Sequence, residues 1–362
     1  MKSKAWLVAV LVCLAVLVQA GSLGATSYLY RDLNPQGALP SGSYQFTAIN
    51  DAKQIVGNTW QTTGGNYVIQ AFLWTPNQGY TLLQSLGGNH DTEAYGINKQ
   101  GQIVGLSVNA KGYLHACLWT DPAQAPIDLG SADDPNWSEA WGINDAGLIV
   151  GNYFSDPAHK HAYKWTAPMQ GTDLGTLGGK TSEAWGVNNA GQIVGDAADS
   201  QEISRACIWP PGSQSPQSLG LSYPLSSANC INNQGNVAGY YSPSGKGDDD
   251  QAFYWEYQTK KIFSITPQLY YNSALGISDA NQVVGWAMQE GFTNQSVIFW
   301  NPTKGTQDLN KMIINLPKGV TIKALYAISP KNGYLAGTDS QGHLCLLTPV
   351  AALSSLNLLL MD

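Results

Sequence analysis

Apolar residues in this chain fall in short bursts bounded by Gly, Asn, Asp and Pro, and the same burst returns every 44 to 52 residues. Bursts this short, separated by turn formers, predict strands rather than helices. The recurring phrase is Ile-Asn-x-x-Gly-Gln-Ile-Val-Gly. It occurs with drift in seven copies, whose second glycines are Gly57, Gly105, Gly151, Gly195, Gly239, Gly285 and Gly337. A tryptophan closing a later apolar run marks six copies (Trp74, Trp119, Trp165, Trp209, Trp255, Trp300), and Leu347 stands in the seventh. A fixed period of this kind is the mark of a repeat architecture.

Each copy parses into four strands, illustrated by SEAWGVN (182–188), QIVG, RACIW and the outer run TDLGTL (172–177). Asn188-Asn189-Ala190-Gly191 joins the first two strands as a tight hairpin whose glycine supplies a positive φ. Lys53 and Asn281 replace that glycine in two copies; Lys53 is expected to carry roughly 1 kcal/mol of strain there. On the first strand the small Ala140 and Gly142 alternate with the bulky Trp141 and Ile143, as Ala184 and Gly186 do with Trp185 and Val187. By this alternation Tyr95, Trp141, Trp185 and Tyr326 share one position and point into contacts between sheets, as core. Both faces of the strands are apolar, so each small sheet is covered on both sides.

The ends of the chain decide how the sheets are arranged. A lone outer strand, YLYRDL (28–33), precedes the first copy, whereas the last copy has three strands (IKALYAIS, GYLAGTD, HLCLLTP) and lacks an outer one. The strands balance if the N-terminal one completes the last sheet, an offset that latches a closed ring and has no use in an open stack. The sequence therefore predicts an all-β fold, a seven-bladed β-propeller with four-stranded antiparallel blades.

Residues 1–20 stand apart. Lys2 and Lys4 precede an apolar run from Ala5 to Val18, followed by small residues suited to cleavage after Ala20 or Ala25. This is the layout of a secretory signal peptide. Residues 21–349 are then the propeller and 350–362 a C-terminal tail, with the mature protein expected outside the cell or in the cell envelope. The formal charge of −7 becomes −9 once Lys2 and Lys4 are removed. An acidic chain gains nothing from counterion release, which argues against nucleic acid as a partner. No second apolar run reaches membrane-spanning length. Export permits disulfides, yet Cys117, Cys207 and Cys345 occupy one place in three copies, filled elsewhere by Phe72, Tyr163, Phe253 and Ile298. That place reads as buried packing, and with Cys230 on a different strand, four free thiols are expected.

Leu-Gly-Thr-Leu-Gly-Gly (174–179), Ala-Trp-Gly-Val-Asn (184–188), Gly-Gln-Ile-Val-Gly (191–195) and His161-Ala162-Tyr163 together resemble the HAF repeat of extracellular bacterial proteins. The resemblance spans nearly all the mature chain, strongest over residues 80–210 and weakest in the last two copies. It implies export and a repeat architecture, and it brings no activity and no catalytic residues. Many relatives end in a sorting tail with a Pro-Glu-Pro start, an apolar segment and a basic end; VAALSSLNLLLMD lacks the first and last of these.

Candidate chemistry gathers at one rim. Loops from second to third strands and from fourth to next first strands are long, variable and, because strands alternate in direction, on the same face. His90, His115, His159, His161 and His343 all fall there. The third strand opens on a polar residue in every copy (Gln70, Arg205, Gln251 and Ser296 elsewhere), so a structural role for these histidines competes with metal binding, and no cofactor or metal is expected. Glu93, Glu139 and Glu183 open the first strand in three adjacent blades, nearest the axis, as ligand contacts or as solvated strand ends. Asp248-Asp249-Asp250 lacks the spacing of a calcium loop and reads as solvated. Trp60, Trp137, Tyr153, Tyr240, Tyr241 and Trp286 lie in or beside the variable loops, where rings stack on sugars or pack against protein.

Three functions fit these features. The first is a non-catalytic binding module for a glycan or an extracellular protein, suggested by the lack of any nucleophile–base, metal-ligand or phosphate-loop pattern. The second is a carbohydrate-active enzyme: a lyase using His115 or His161 with a loop tyrosine, or a glycosidase using Glu139 and Glu183 as a carboxylate pair. The acidic, Arg-poor rim argues against a lyase acting on uronates. The third is a purely structural surface protein.

Overall fold

The computed structural model describes residues 27–33, 43–63, 66–130, 136–156, 159–168, 170–265, 271–288 and 295–350. The expected signal peptide and all of the tail but Val350 lie outside them. The described residues form seven four-stranded antiparallel sheets, and the chain is a seven-bladed β-propeller. Six blades are continuous in sequence, beginning at Ser43, Gly87, Ser138, Gly178, Leu225 and Tyr271. The seventh combines Ile322–Ile328, Leu335–Asp339 and Leu344–Val350 with the N-terminal Ser27–Asp32 as its outer strand.

That closure is the one expected from the strand balance. Ser27 to Asp32 pair in unbroken register with Val350 back to Cys345, and Leu33 N–H extends the ladder to Leu344 O at 2.8 Å. Tyr28 is fully buried in the latch and meets Phe299 of blade 6 edge-on at 5.8 Å. Outer strands elsewhere are shorter than the sequence suggests, two residues in blades 2, 4 and 6. The leucine of the DLG run follows the outer strand, its N–H still bonded to the third strand and its side chain buried in the core, as at Leu129, Leu174 and Leu219. The landmark tryptophans reach the preceding blade: Trp119 Nε1 donates to Gln84 O at 2.8 Å and Trp209 Nε1 to Leu174 O at 2.7 Å.

The repeated Asn-x-x-Gly-Gln is an inter-blade clamp. Asn188 Oδ1 accepts from Ala190 N and Gln192 N, closing its own hairpin, while Nδ2 donates to Gln192 Oε1 and across to Asn232 O of the next blade at 3.0 Å. Asn50, Asn98, Asn144 and Asn232 make the same crossing. The ring then runs from Asp279 N–H to Pro330 O and from Lys331 N–H to Asp51 Oδ1, so all seven junctions are bridged around the axis. Lys53 and Asn281 adopt the expected left-handed conformation, at φ 62° and 58°. Cys117, Cys207, Cys230 and Cys345 are free, and all but Cys230 are buried.

Candidate functional site

The first strand of every blade carries a β-bulge at the same place. In blade 3 Ala140 pairs with Gly151 and Gly142 with Val150, so Trp141 between them has no partner. The skipped residue is Thr47 in blade 1, Tyr95 in blade 2, Trp185 in blade 4, Asn229 in blade 5, Leu275 in blade 6 and Tyr326 in blade 7. A bulge breaks the alternation of strand faces and re-aims a side chain. All seven skipped residues line one cavity of about 460 Å³ on the propeller axis. Tyr95, Trp141, Trp185 and Tyr326 are accordingly half-buried, with surface turned to the cavity instead of closed within blade contacts as strict alternation implies.

The glycine of the second strand makes room for the bulge. A Cβ on Gly151 would lie 1.9 Å from Glu139 O, and one on Gly105 or Gly195 would lie 1.8 Å from Glu93 O or Glu183 O. No side chain fits at that distance. The glycine that ends the repeat phrase is thus a condition of the cavity.

Aromatic rings form one wall. Tyr95 and Trp141 stack at 3.9 Å between centroids, and Trp185 meets Trp141 at 4.8 Å and 69°. Tyr240, from the second strand of blade 5, also lines the cavity. Carboxylates behind the wall hold the polar edges of these rings. Tyr95 OH donates to Glu93 at 2.9 Å, Trp141 Nε1 to Glu139 at 3.0 Å and Trp185 Nε1 to Asp196 at 2.9 Å. Asp196 also accepts from Ser227 Oγ and Ser204 Oγ, and Glu183 pairs with Lys160. Burial, reinforced by Glu139, pushes the Glu93 carboxyl above its ordinary range; Glu183 moves the same way through burial and Asp196, opposed by Lys160.

Toward the hairpin face the axis narrows to a pocket of about 120 Å³, lined by Ile97, Ile143, Val187, Ile231 and Ile277 and the clamp residues. The larger cavity therefore lies on the side of the variable loops.

The sequence candidates separate into three places. Glu93, Glu139 and Glu183 stand around the cavity but do not line it: Glu93 and Glu139 hold rings of its wall, and Glu183 pairs with Lys160. His115 and His161 are far out on third strands, pinning the aspartate of the outer strand: His115 Nδ1 is 2.9 Å from Asp128 Oδ2, and His161 Nδ1 is 2.6 Å from Asp173 Oδ2. His343 stands likewise 3.3 Å from Asp32 of the latch. His90 falls on the strand Gly87–Ile97, and its side chain lies outside the described residues. Trp137, 42% exposed, stacks on Phe154 at 4.8 Å; Tyr153 stacks on Tyr163 at 5.2 Å. Trp60 is half-buried on Ile55–Thr63, opposite Ile69. Lys160 links rim to cavity, lying 5.6 Å over Phe154 and pairing with Glu183.

Asp196 and Asn229 are absent from the sequence candidates. A carboxylate directly after the strand-two glycine, where Asn152 and Tyr240 stand in the neighbouring blades, was the available signal for Asp196. Among the described residues no group of three or more His, Cys, Asp or Glu is placed to hold a metal ion. No helix there is long and apolar enough to cross a membrane.

No protein-family model matches the sequence, and no curated protein matches it. Solved structures share the architecture. The β-propeller domain of the trilobed protease from Pyrococcus furiosus, described as having an open velcro topology, superposes with a TM-score of 0.56 at 8% identity, covering 83% of this chain and 92% of that one. A structure from a study of two prolyl endopeptidases gives 0.55 at 12%, covering 84% and 48%. An acylaminoacyl peptidase from Pyrococcus horikoshii gives 0.54 at 9%, covering 85% and 51%. The chain spans about half the length of these two peptidases. At such identities the likeness is one of fold alone, and fold does not carry function.

Proposed function

We propose that this chain is an exported binding module whose ligand enters the axial cavity from the variable-loop face. One observation carries the reading: a bulge in every blade turns seven side chains into a single cavity of about 460 Å³. That size suits a small ligand or one projecting group of a glycan or protein. The HAF-like repeat and the N-terminal apolar segment support export. The carboxylates that a glycosidase would need free are engaged, Glu139 by Trp141 and Asn152 and Glu183 by Lys160, which favours binding over hydrolysis.

The test is a screen of the mature protein against glycans and extracellular extracts, repeated with Trp185→Ala. Ligand capture without product formation, lost in the variant, supports the reading. Capture that survives the substitution, or release of reducing or unsaturated sugar ends, overturns it.

A further inference from the structure

The chemistry of the cavity wall narrows the ligand class. We propose that the axial cavity binds an alkylated ammonium group against the Tyr95–Trp141–Trp185 wall. This rests on the binding-module reading above and adds the ligand to it.

Three observations point the same way. First, Trp141 and Trp185 meet at 69° and form a corner of aromatic surface, whose π-electrons attract cations. Each ring of the wall donates its polar hydrogen to a carboxylate, which raises electron density in the ring and strengthens that attraction.

Second, the surrounding charge is predominantly negative. Glu93, Glu139, Glu183 and Asp196 stand on three adjacent blades, and Lys160 is the cation paired into that arc. Burial and the neighbouring carboxylates push Glu93 and Glu183 upward, so the site already bears unfavourable negative charge. A bound cation relieves it; an anion aggravates it.

Third, the aromatic wall is apolar and three of the polar lining residues have their donor hydrogens engaged within the fold. Ser227 Oγ donates to Asp196, Thr47 Oγ1 to Ala94 O, and Asn229 Nδ2 to Ser273 Oγ and Ala274 O. The indole rings of Trp141 and Trp185 offer no hydrogen-bond acceptor, so a primary ammonium or a guanidinium seated against them would give up water there, a costly exchange. Methylated nitrogen has no such hydrogen bonds to lose. A neutral sugar, with many hydroxyls to satisfy, fits this wall less well.

The group has two sources, a free choline-like solute or a methylated lysine side chain on another protein. The experiment titrates the full mature chain, by calorimetry and tryptophan fluorescence, with choline chloride, its neutral isostere 3,3-dimethyl-1-butanol, and a trimethyllysine peptide beside its unmethylated form. The expected result is saturable binding of choline at least tenfold tighter than the isostere, weakened at least tenfold in Trp185→Ala and severalfold in Glu139→Gln. A preference for the trimethyllysine peptide over choline would assign the source to protein; the reverse would assign it to a solute. Thermal unfolding checks that each variant is folded, and the isostere comparison stands on the unaltered protein. Equal binding of choline and isostere, or binding of neither cation probe, overturns the inference. If a neutral oligosaccharide binds and is lost in Trp185→Ala, the cation inference fails while the module reading survives. If no ligand responds to Trp185→Ala, both fail.

Discussion

At the scale of single residues, space and protonation set the tolerances of this molecule. Gly151 lies under the carbonyl of Glu139, and a methyl group there would sit 1.9 Å from that oxygen. The three nearest atoms are all backbone, of Glu139 and Ala140, so no flexible side chain can give way. Gly151→Ala is expected to destabilise the protein by about 3 kcal/mol, measurable by urea unfolding, and to disturb the fluorescence of the adjoining Trp141. Asp250 provides a test in pH. Burial, then neighbouring Asp249, raises its carboxyl from an ordinary 3.8 to about 6. Between those values the folded chain holds a proton that the unfolded chain has released, so stability falls as pH rises through that window. Glu93 and Glu183 act in the same direction. Asp250→Asn should flatten part of the slope between about pH 4 and pH 6 in thermal unfolding, and an unchanged slope would refute the assignment.

At the scale of the element, one hairpin does two jobs, and the sequence revealed only the first. Asn-x-x-Gly between two apolar runs reads as a tight turn because glycine accepts positive φ without strain, and the five glycines at that place do so, at φ 64° to 85°. The second job, the crossing of the asparagine amide to the next blade, requires knowing which blades are neighbours. Asn188→Ala removes two bonds to its own hairpin backbone, one to Gln192 Oε1 and one to Asn232 O. At roughly 1 kcal/mol for each, the loss should approach about 4 kcal/mol. Asn188→Asp retains the acceptor oxygen and removes the donor; it should recover the hairpin bonds and lose the crossing. Comparing the two variants by chemical denaturation separates the roles. The histidines follow the same logic. A polar residue opening each third strand is visible in sequence, while its partner, the outer-strand aspartate 12 or 13 positions further on, is fixed by pairing register.

At the scale of the whole molecule, the ring is held by its first described strand. Removing residues up to Leu33 would leave Leu344–Val350 as an open sheet edge and uncover the site of Tyr28. Cys345, now fully buried, should then react with a thiol reagent in the native buffer, and the unfolding temperature should drop. A truncated chain whose Cys345 stays protected would show that the latch contributes little to closure. Open edges of this kind also recruit other strands, so the truncated protein is expected to aggregate at concentrations the intact one tolerates.

The sequence by itself determined the repeat, the four-strand unit, the turn conformations and the closure of the ring, because each depends on local steric preference or on counting strands. The cavity belongs to tertiary structure. A bulge inserts one unpaired residue and reverses the parity on which facing is judged, so a strand read by strict alternation assigns Tyr95, Trp141, Trp185 and Tyr326 to packed core. Only the pairing of the first strand with the second shows where the count slips, and only seven blades closed around one axis bring the slipped residues together. Local physics wrote the blade; its assembly into a circle made the site.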